Sequence, residues 1–281
     1  MHVFETPGQV DARVSIAEGA VEVSCVETGA GTGAGGSGRV EVHVEPLRNN
    51  AASREAVEQT RVELVEHSGI YEIVVDAPKR WIGFGRGASI GVRISCPFGT
   101  RLDVSTASAD VRATGRLGQL DAKTASGDLG FDAVDGDVRV ATASGDVSIA
   151  EIGGSGTVKS ASGDVAVRIC RGQLSINLAS GDVQVGRALA GVSLGSASGD
   201  LEVGSVESGE IRLQSVSGDV RVGVREGLRV WIDASSVSGS ISSDLPSEEG
   251  PPAEGGAALE IRARTVSGDV RIVSAAGVAA A

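Results

Sequence analysis

The chain reads as an all-β protein, a parallel β-solenoid, and three observations predict it. The first is a Ser-Gly-Asp phrase followed by alternating aliphatic residues. It occurs nine times, counting Ser108-Ala109-Asp110 and Ser238-Gly239-Ser240 as variants. Copies begin at Ser108, Ser126, Ser144, Ser162, Ser180 and Ser198, each 18 residues after the last, then at Ser217, Ser238 and Ser267 with spacings of 19, 21 and 29. A strict period of this kind marks a stack in which each repeat covers the core of its neighbours. The second is the pattern inside each period, where aliphatic residues fall at offsets 0, 2, 9 and 11, as in Leu129, Phe131, Val138 and Val140. Side chains at i and i+2 of an extended strand share a face. Each coil therefore divides into two nine-residue halves, each a short strand and a turn. The third is composition: 41 Gly and 2% aromatics suit a core only two side chains wide. Together these predict a flattened β-roll of two facing parallel sheets, right-handed by the general rule for parallel crossovers. A triangular hexapeptide helix, which also takes 18 residues per coil, would need apolar residues every six and fits less well.

Residues 1–100 do not keep the period and are predicted to form a β-rich N-terminal cap over the open edge of the first coil. Residues 10–16, 20–26 and 40–44 alternate as strands, with a Gly-rich loop over 28–38. Residues 53–59 predict a helical turn. Residues 61–65 and 70–75 predict a hairpin across His67-Ser68-Gly69, and 90–96 one more strand. The solenoid runs over 101–274. Strands after each Asp form one sheet and strands before each Ser form the other, with Gly156 breaking the second column. An acidic Pro/Gly loop over 244–256 leaves a late coil, and 275–281 form a small-residue tail. The phrase glycines predict a turn position with positive φ. The residue before each Ser is Ala in the first six copies and Val at Val216, Val237 and Val266; its small size predicts a fit to the narrow end of the roll.

The net charge of −12 disfavours nucleic acid and anionic membrane surfaces as partners. No apolar run is long enough for membrane insertion as a helix. The N-terminal residues lack the basic and apolar regions of a secretory signal. Cys25, Cys96 and Cys170 stand at unrelated spacings and read as reduced, buried thiols. A cytoplasmic location follows as the expectation.

The main candidate site is the turn column Asp110, Asp128, Asp146, Asp164, Asp182, Asp200, Asp219 and Asp269. Carboxylates stacked at about 4.8 Å repel by about 0.9 kcal/mol per adjacent pair at water's dielectric. The expected offset is a backbone N–H bond that each Asp accepts within its own turn; the competing reading is a row of bound cations. A second column, Thr106, Thr124, Thr142, Ser160, Ser196, Ser215, Ser236 and Thr265, interrupted by Leu178, reads as solvated strand residues. Arg80, Trp81, Phe84 and Arg86 form the one cationic and aromatic cluster and read as an interaction loop. The histidines His2, His43 and His67 lie outside the repeat, and no nucleophile or phosphate loop pairs with them. A catalyst is therefore not expected, and no cofactor or metal site is assigned.

The repeat phrase, the lead-in Pro97-Phe98-Gly99-Thr100 and the short element ending Glu55 to Gln59 resemble a bacterial family of adhesin-like β-strand-repeat proteins of unknown function. Members without a signal are familiar in actinobacteria, and some relatives are associated with cell-envelope stress. The resemblance implies the solenoid fold rather than an activity. The resulting expectation is a non-enzymatic binding or scaffold protein with an unknown protein partner. A calcium-binding roll and a self-assembling filament are the alternatives. Val270 to Val273 follow the longest gap and have no later repeat, so they are expected to form the open C-terminal solenoid edge, available for homo-oligomer formation or for a partner's strand.

Overall fold

The computed structural model describes residues 1–27, 38–78, 87–245 and 259–275. It comprises two compact units, Met1–Asp146 and Val147–Ala281, each containing stacked β-coils. The first contains β1 (His2–Thr6), β2 (Gln9–Val26), β3 (Gly38–Pro46), α1 (Ala51–Gln59), β4 (Arg61–His67), β5 (Ile70–Asp76), β6 (Ile90–Pro97), β7 (Arg101–Leu117), β8 (Gln119–Ser126), β9 (Leu129–Val134) and β10 (Val138–Ser144).

In this unit β7 serves both sheets. Its first half runs parallel to β8 with Leu102 beside Leu120, and its second half parallel to β9 with Val111 beside Leu129. β10 follows β8 with Val138 beside Leu120. The offset of 18 is the sequence period. β2 does the same one coil earlier: Asp11 to Ser24 run parallel to Arg101 to Thr114, and Glu18-Gly19-Ala20 lie opposite Ser108-Ala109-Asp110. The expectation that the first 100 residues abandon the repeat is thus corrected, because β2 is a coil whose phrase has lost its Ser and Asp but kept the corner glycine, Gly19, at φ 142°. The two strands predicted at 10–16 and 20–26 are its two halves.

Beyond β2 the ladder changes direction. β5 and β6 still run parallel to β2, but β4 pairs antiparallel with β5, β3 with β6, and β1 with β3. The predicted hairpin is present, turned by Ser68 (φ 53°) and Gly69 (φ 83°), the two successive positive angles that a tight hairpin uses. The outer strands carry Arg61, Glu63, Glu66 and His67 on β4 and His2 and Glu5 on β1, charges that discourage further edge pairing. Asn50 caps α1 by accepting the Ser53 N–H at 2.7 Å.

The second unit contains β11 (Val147–Ile152), β12 (Gly156–Ser160), β13 (Val165–Cys170), β14 (Leu174–Leu178), β15 (Val183–Ala188), β16 (Val192–Ser198), β17 (Leu201–Val206), β18 (Gly209–Ser217), β19 (Val220–Arg225), β20 (Val230–Ser238), β21 (Ile241–Ser243), β22 (Leu259–Ser267) and β23 (Val270–Ala275). Its strands stack in sequence order as far as β18 and β19. There the order breaks. β22 pairs with β18 on one side and β20 on the other, and β23 lies between β19 and β21. The last coil in sequence is thus the penultimate coil in space. The expected open edge at Val270 is corrected: Val270 is fully buried and paired on both flanks, and the outermost strands are β20 and β21. The inserted coil is the better core former. Leu259, Ile261, Ala263, Val270 and Ile272 are all 0% exposed, whereas the coil it displaces offers Val230 opposite Leu259 and Ser243 opposite Ile272. The 29-residue spacing gives the chain enough length to step back over one coil.

The four predicted apolar columns are buried in every coil but the outermost, where Ile241 is exposed. A fifth was missed. Leu117 and Val134 in the first unit, and Ile152, Cys170, Ala188, Val206 and Val224 in the second, line the corner opposite the Ser-Gly-Asp turn. This explains Cys170, whose thiol donates to the Gly172 carbonyl at 3.3 Å and is pushed up to about 11 by burial. Where Gly156 leaves a gap, Leu174 and Ile152 fill it.

Of the phrase glycines, those from Gly127 to Gly218 and Gly268 have positive φ as predicted, but Gly239, in the outermost coil, does not. A second constraint acts on them. A Cβ on Gly199 would collide with the Gly181 carbonyl of the coil below, and one on Gly239 with that of Gly268. Gly199→Ala is therefore expected to cost more than about 2 kcal/mol, since strain at positive φ adds to a backbone clash. Urea melts would show a lower midpoint, and an unchanged midpoint would contradict the packing described.

Candidate functional site

The Asp column faces solvent, and its carboxylates do not cap their own turns. Within each unit a carboxylate accepts the backbone N–H at the matching position of the next coil. In the first unit Asp128 N donates to Asp110 Oδ1 and Asp146 N to Asp128 Oδ1, both at 3.0 Å. In the second unit the series runs from Asp182 N to Asp164 Oδ1 at 2.9 Å, then Asp200 to Asp182 at 2.8 Å, Asp219 to Asp200 at 2.7 Å and Asp269 to Asp219 at 2.8 Å. Ser240 N closes it on Asp269 Oδ1 at 2.9 Å. The carbonyl of each later Asp accepts from the coil before it, as in Val183 N to Asp200 O at 2.9 Å. A charge-assisted bond between coils thus offsets the repulsion between neighbouring carboxylates. The outermost coil has no successor among the described residues, and Ser240 stands there in place of Asp.

The hydroxyl column corrects a second expectation. Thr106, Thr124, Thr142, Ser196, Ser215 and Thr265 are buried rather than solvated. Their hydroxyls donate to corner carbonyls, Thr124 to Ser126 O at 3.0 Å and Ser196 to Ser198 O at 3.1 Å, and Thr106 also reaches Thr124 Oγ1 at 2.8 Å. Leu178 occupies the same inward position. The cluster Arg80, Trp81, Phe84 and Arg86 lies outside the described residues.

The residues before each Ser are also displaced from expectation. From Ala107 onward they point to solvent, not into a narrow interior. The change from Ala to Val therefore puts β-branched apolar groups on the surface, and it does so only in the last three coils of the second unit. Across β18, β22 and β20 these are Val216, Val266 and Val237, exposed by 55%, 49% and 82%. They adjoin the outermost strands, where Ile241 is 48% exposed. Among the described residues β20 has no neighbour on its outer side. Leu259 N donates to Arg229 O, so the backbone groups of Val230, Ile232 and Ala234 face away from β22 by the alternation of a parallel ladder.

On the outer face of the same three strands lies a shallow depression of about 310 Å³, lined by Arg212, Gln214, Trp231, Asp233, Arg262 and Arg264. The Arg262 guanidinium sits over the Trp231 indole, 5.8 Å from its centroid. It also binds Glu210 at 2.9 Å and Glu260 at 2.5 Å, while Arg212 shares Glu210 at 2.6 Å. This patch was not foreseen, because sequence order separates Arg212, Trp231 and Arg262 and only the inserted coil unites them. The matching phrases Glu210-Ile211-Arg212 and Glu260-Ile261-Arg262 were the available signal.

Two outcomes test the Asp ladder. Asp182→Ala leaves the Asp200 N–H without its acceptor and is expected to cost about 1 kcal/mol, whereas Asp182→Asn keeps an acceptor and stays near neutral; urea melts of both distinguish them. Asp269 gives a pH dependence. The Ser240 N–H bond, with help from Arg271, lowers its carboxyl below the ordinary 3.8. A folded value below the unfolded one contributes stability that is complete above the unfolded pKa and is lost as pH falls through the folded value. Between about pH 5 and pH 3, wild type should therefore lose more stability than Asp269→Asn; parallel losses would contradict the bond.

Comparison with known proteins follows the fold. Three solved structures are similar to this chain. One is of a "putative adhesin" from Bacteroides fragilis, 12% identical with a TM-score of 0.42, with 96% of each chain covered. Another is of a "putative lipid binding protein" from Parabacteroides distasonis, 13% identical with a TM-score of 0.41, again with 96% of each chain covered. The third is of a "putative cell adhesion protein" from Clostridium sporogenes, 11% identical with a TM-score of 0.24, covering 97% of this chain and 98% of that one. No curated protein matches the chain. The Toastrack DUF4097 family model matches residues 34–273, and the chain belongs to that family.

Proposed function

We propose that this chain is a non-enzymatic binding and scaffold module, and that its working surface is the outermost coil of the second unit, β20 with β21. The observation that carries this reading is the valine stripe Val216, Val266 and Val237 beside a strand whose outer side has no partner among the described residues. Exposed apolar groups clustered beside an open strand edge mark an interaction site. The partner is a protein that adds an extended strand to β20. Its backbone would bond the free groups of Val230, Ile232 and Ala234, and its apolar side chains would cover Ile241 and Val237. Trp231, braced by Arg262, supplies an aromatic anchor of the kind that dominates such interfaces.

A scaffold rather than a catalyst suits the use made of the polar groups. The aspartates of the repeat are engaged in bonds between coils, and its hydroxyls in bonds to the corner carbonyls. A cytoplasmic location remains part of the proposal, resting on three cysteines that are all free thiols. The strand donor is a second copy of the chain or another protein, and one experiment covers both. Sedimentation and affinity capture would compare wild type with Val237→Asp and Ala234→Pro. Val237 is 82% exposed, so its replacement spares the core; Pro at position 234 removes an outward N–H without breaking the bonds to β22. The expected result is self-association or a recovered partner in wild type, lost in both variants with melting temperatures unchanged. A concentration-independent monomer with no partner, or a complex that both variants retain, would overturn the reading.

A further inference from the structure

We propose that Cys25 and Cys96 form an oxidation site, a dithiol that hydrogen peroxide converts to a disulfide tying β6 to β2. The two residues are direct partners in the parallel register of these strands. Their sulfurs lie 3.6 Å apart, and both thiols are free. Neighbouring parallel strands hold Cα atoms about 4.8 Å apart, inside the range of about 4.4–6.8 Å that a disulfide spans. Only a side-chain rotation is needed to bring the sulfurs to bonding distance.

The pair lies near the ends of its strands. Cys25 is 6% exposed and Cys96 0%, but the residue after Cys25 is the exposed Val26, which accepts the N–H of the exposed Phe98 at 3.1 Å. The 6% exposure of Cys25 gives an oxidant as small as peroxide a point of contact. The thiols also differ. Either sulfur can donate to the other, and the shared hydrogen bond draws Cys96 below its ordinary value and holds Cys25 above it. Cys96 is therefore the better nucleophile.

The reaction balances in two steps. The Cys96 thiolate attacks one peroxide oxygen, the O–O bond breaks, and protonation releases one water and leaves a sulfenic acid. The Cys25 sulfur then displaces the sulfenic hydroxyl and gives up its proton, forming the S–S bond and a second water. Two thiols lose two electrons in all, and peroxide gains them. Cys170, in the second unit and bonded to Gly172 O, is an internal control.

The test uses the full reduced chain treated with hydrogen peroxide. Free thiols are counted after denaturation, intact mass is measured, and peptides are mapped. The expected result is loss of two of the three thiols, a mass loss of two hydrogens, a Cys25–Cys96 linked peptide, and full reversal by dithiothreitol. The oxidised form should also melt several degrees higher, because the bond closes a long loop in the unfolded chain. Cys170→Ser should keep the reaction and Cys96→Ser should abolish it. If Cys96→Ser fails to fold, the peptide map of wild type decides alone. Three surviving thiols, oxygen addition without cross-linking, or a bond through Cys170 or to a second chain would each overturn the proposal.

Discussion

The backbone N–H of each repeat Asp, donated to the carboxylate one coil earlier, is the contact on which the stack depends. It works only where two coils approach to strand spacing at a corner. The phrase glycine makes that approach possible, because any Cβ would strike the carbonyl below it. The buried hydroxyl on the same corner donates to a corner carbonyl and so finds the partner that a buried polar group requires. Asp, Gly and Ser or Thr thus serve one junction, which is why they recur together at the period of the coil.

That junction has a direction. A carboxylate is useful only when another coil follows, and the coil that carries Ser240 has none beyond it among the described residues. The same coil contributes Val230 and Ser243 where its neighbour has Leu259 and Ile272. It is therefore both the weaker core former and the one with no receptor for a further amide. The last coil in sequence, with its full phrase and aliphatic set, takes the inner place. This exchange of order creates the binding surface: it brings Arg262 between Glu210 and Trp231 and lines up Val216, Val266 and Val237.

Much of this was legible in the sequence and some was misread for identifiable reasons. The offsets of Leu129, Phe131, Val138 and Val140 were enough for two facing sheets, because period two admits one orientation. The hydroxyl column was read as solvated because Thr and Ser usually face water, yet alternation from Leu120 and Ala122 places Thr124 inside. The corner column of Val134 and Ile152 was overlooked because it follows a local irregularity, seen as a register shift between Val203 and Val206. β2 was missed because its phrase reads Glu18-Gly19-Ala20, and only its register with Ser108 to Asp110 reveals the corner. Arg80, Trp81, Phe84 and Arg86, singled out in the sequence, lie outside the described residues.

The sequence by itself determined the coil: its length, its two strands, its inward residues and its glycine corner. These follow from contacts that every repeat makes identically with its neighbour, so periodicity encodes them. Tertiary structure alone decided which coil neighbours which, and with it the exposed edge, the valine stripe, the Trp231 patch and the meeting of Cys25 with Cys96. Coils with interchangeable edges can stack in more than one order. The order is settled by comparing whole coils for buried apolar surface and unpaired amides, and no local pattern along the chain contains that comparison.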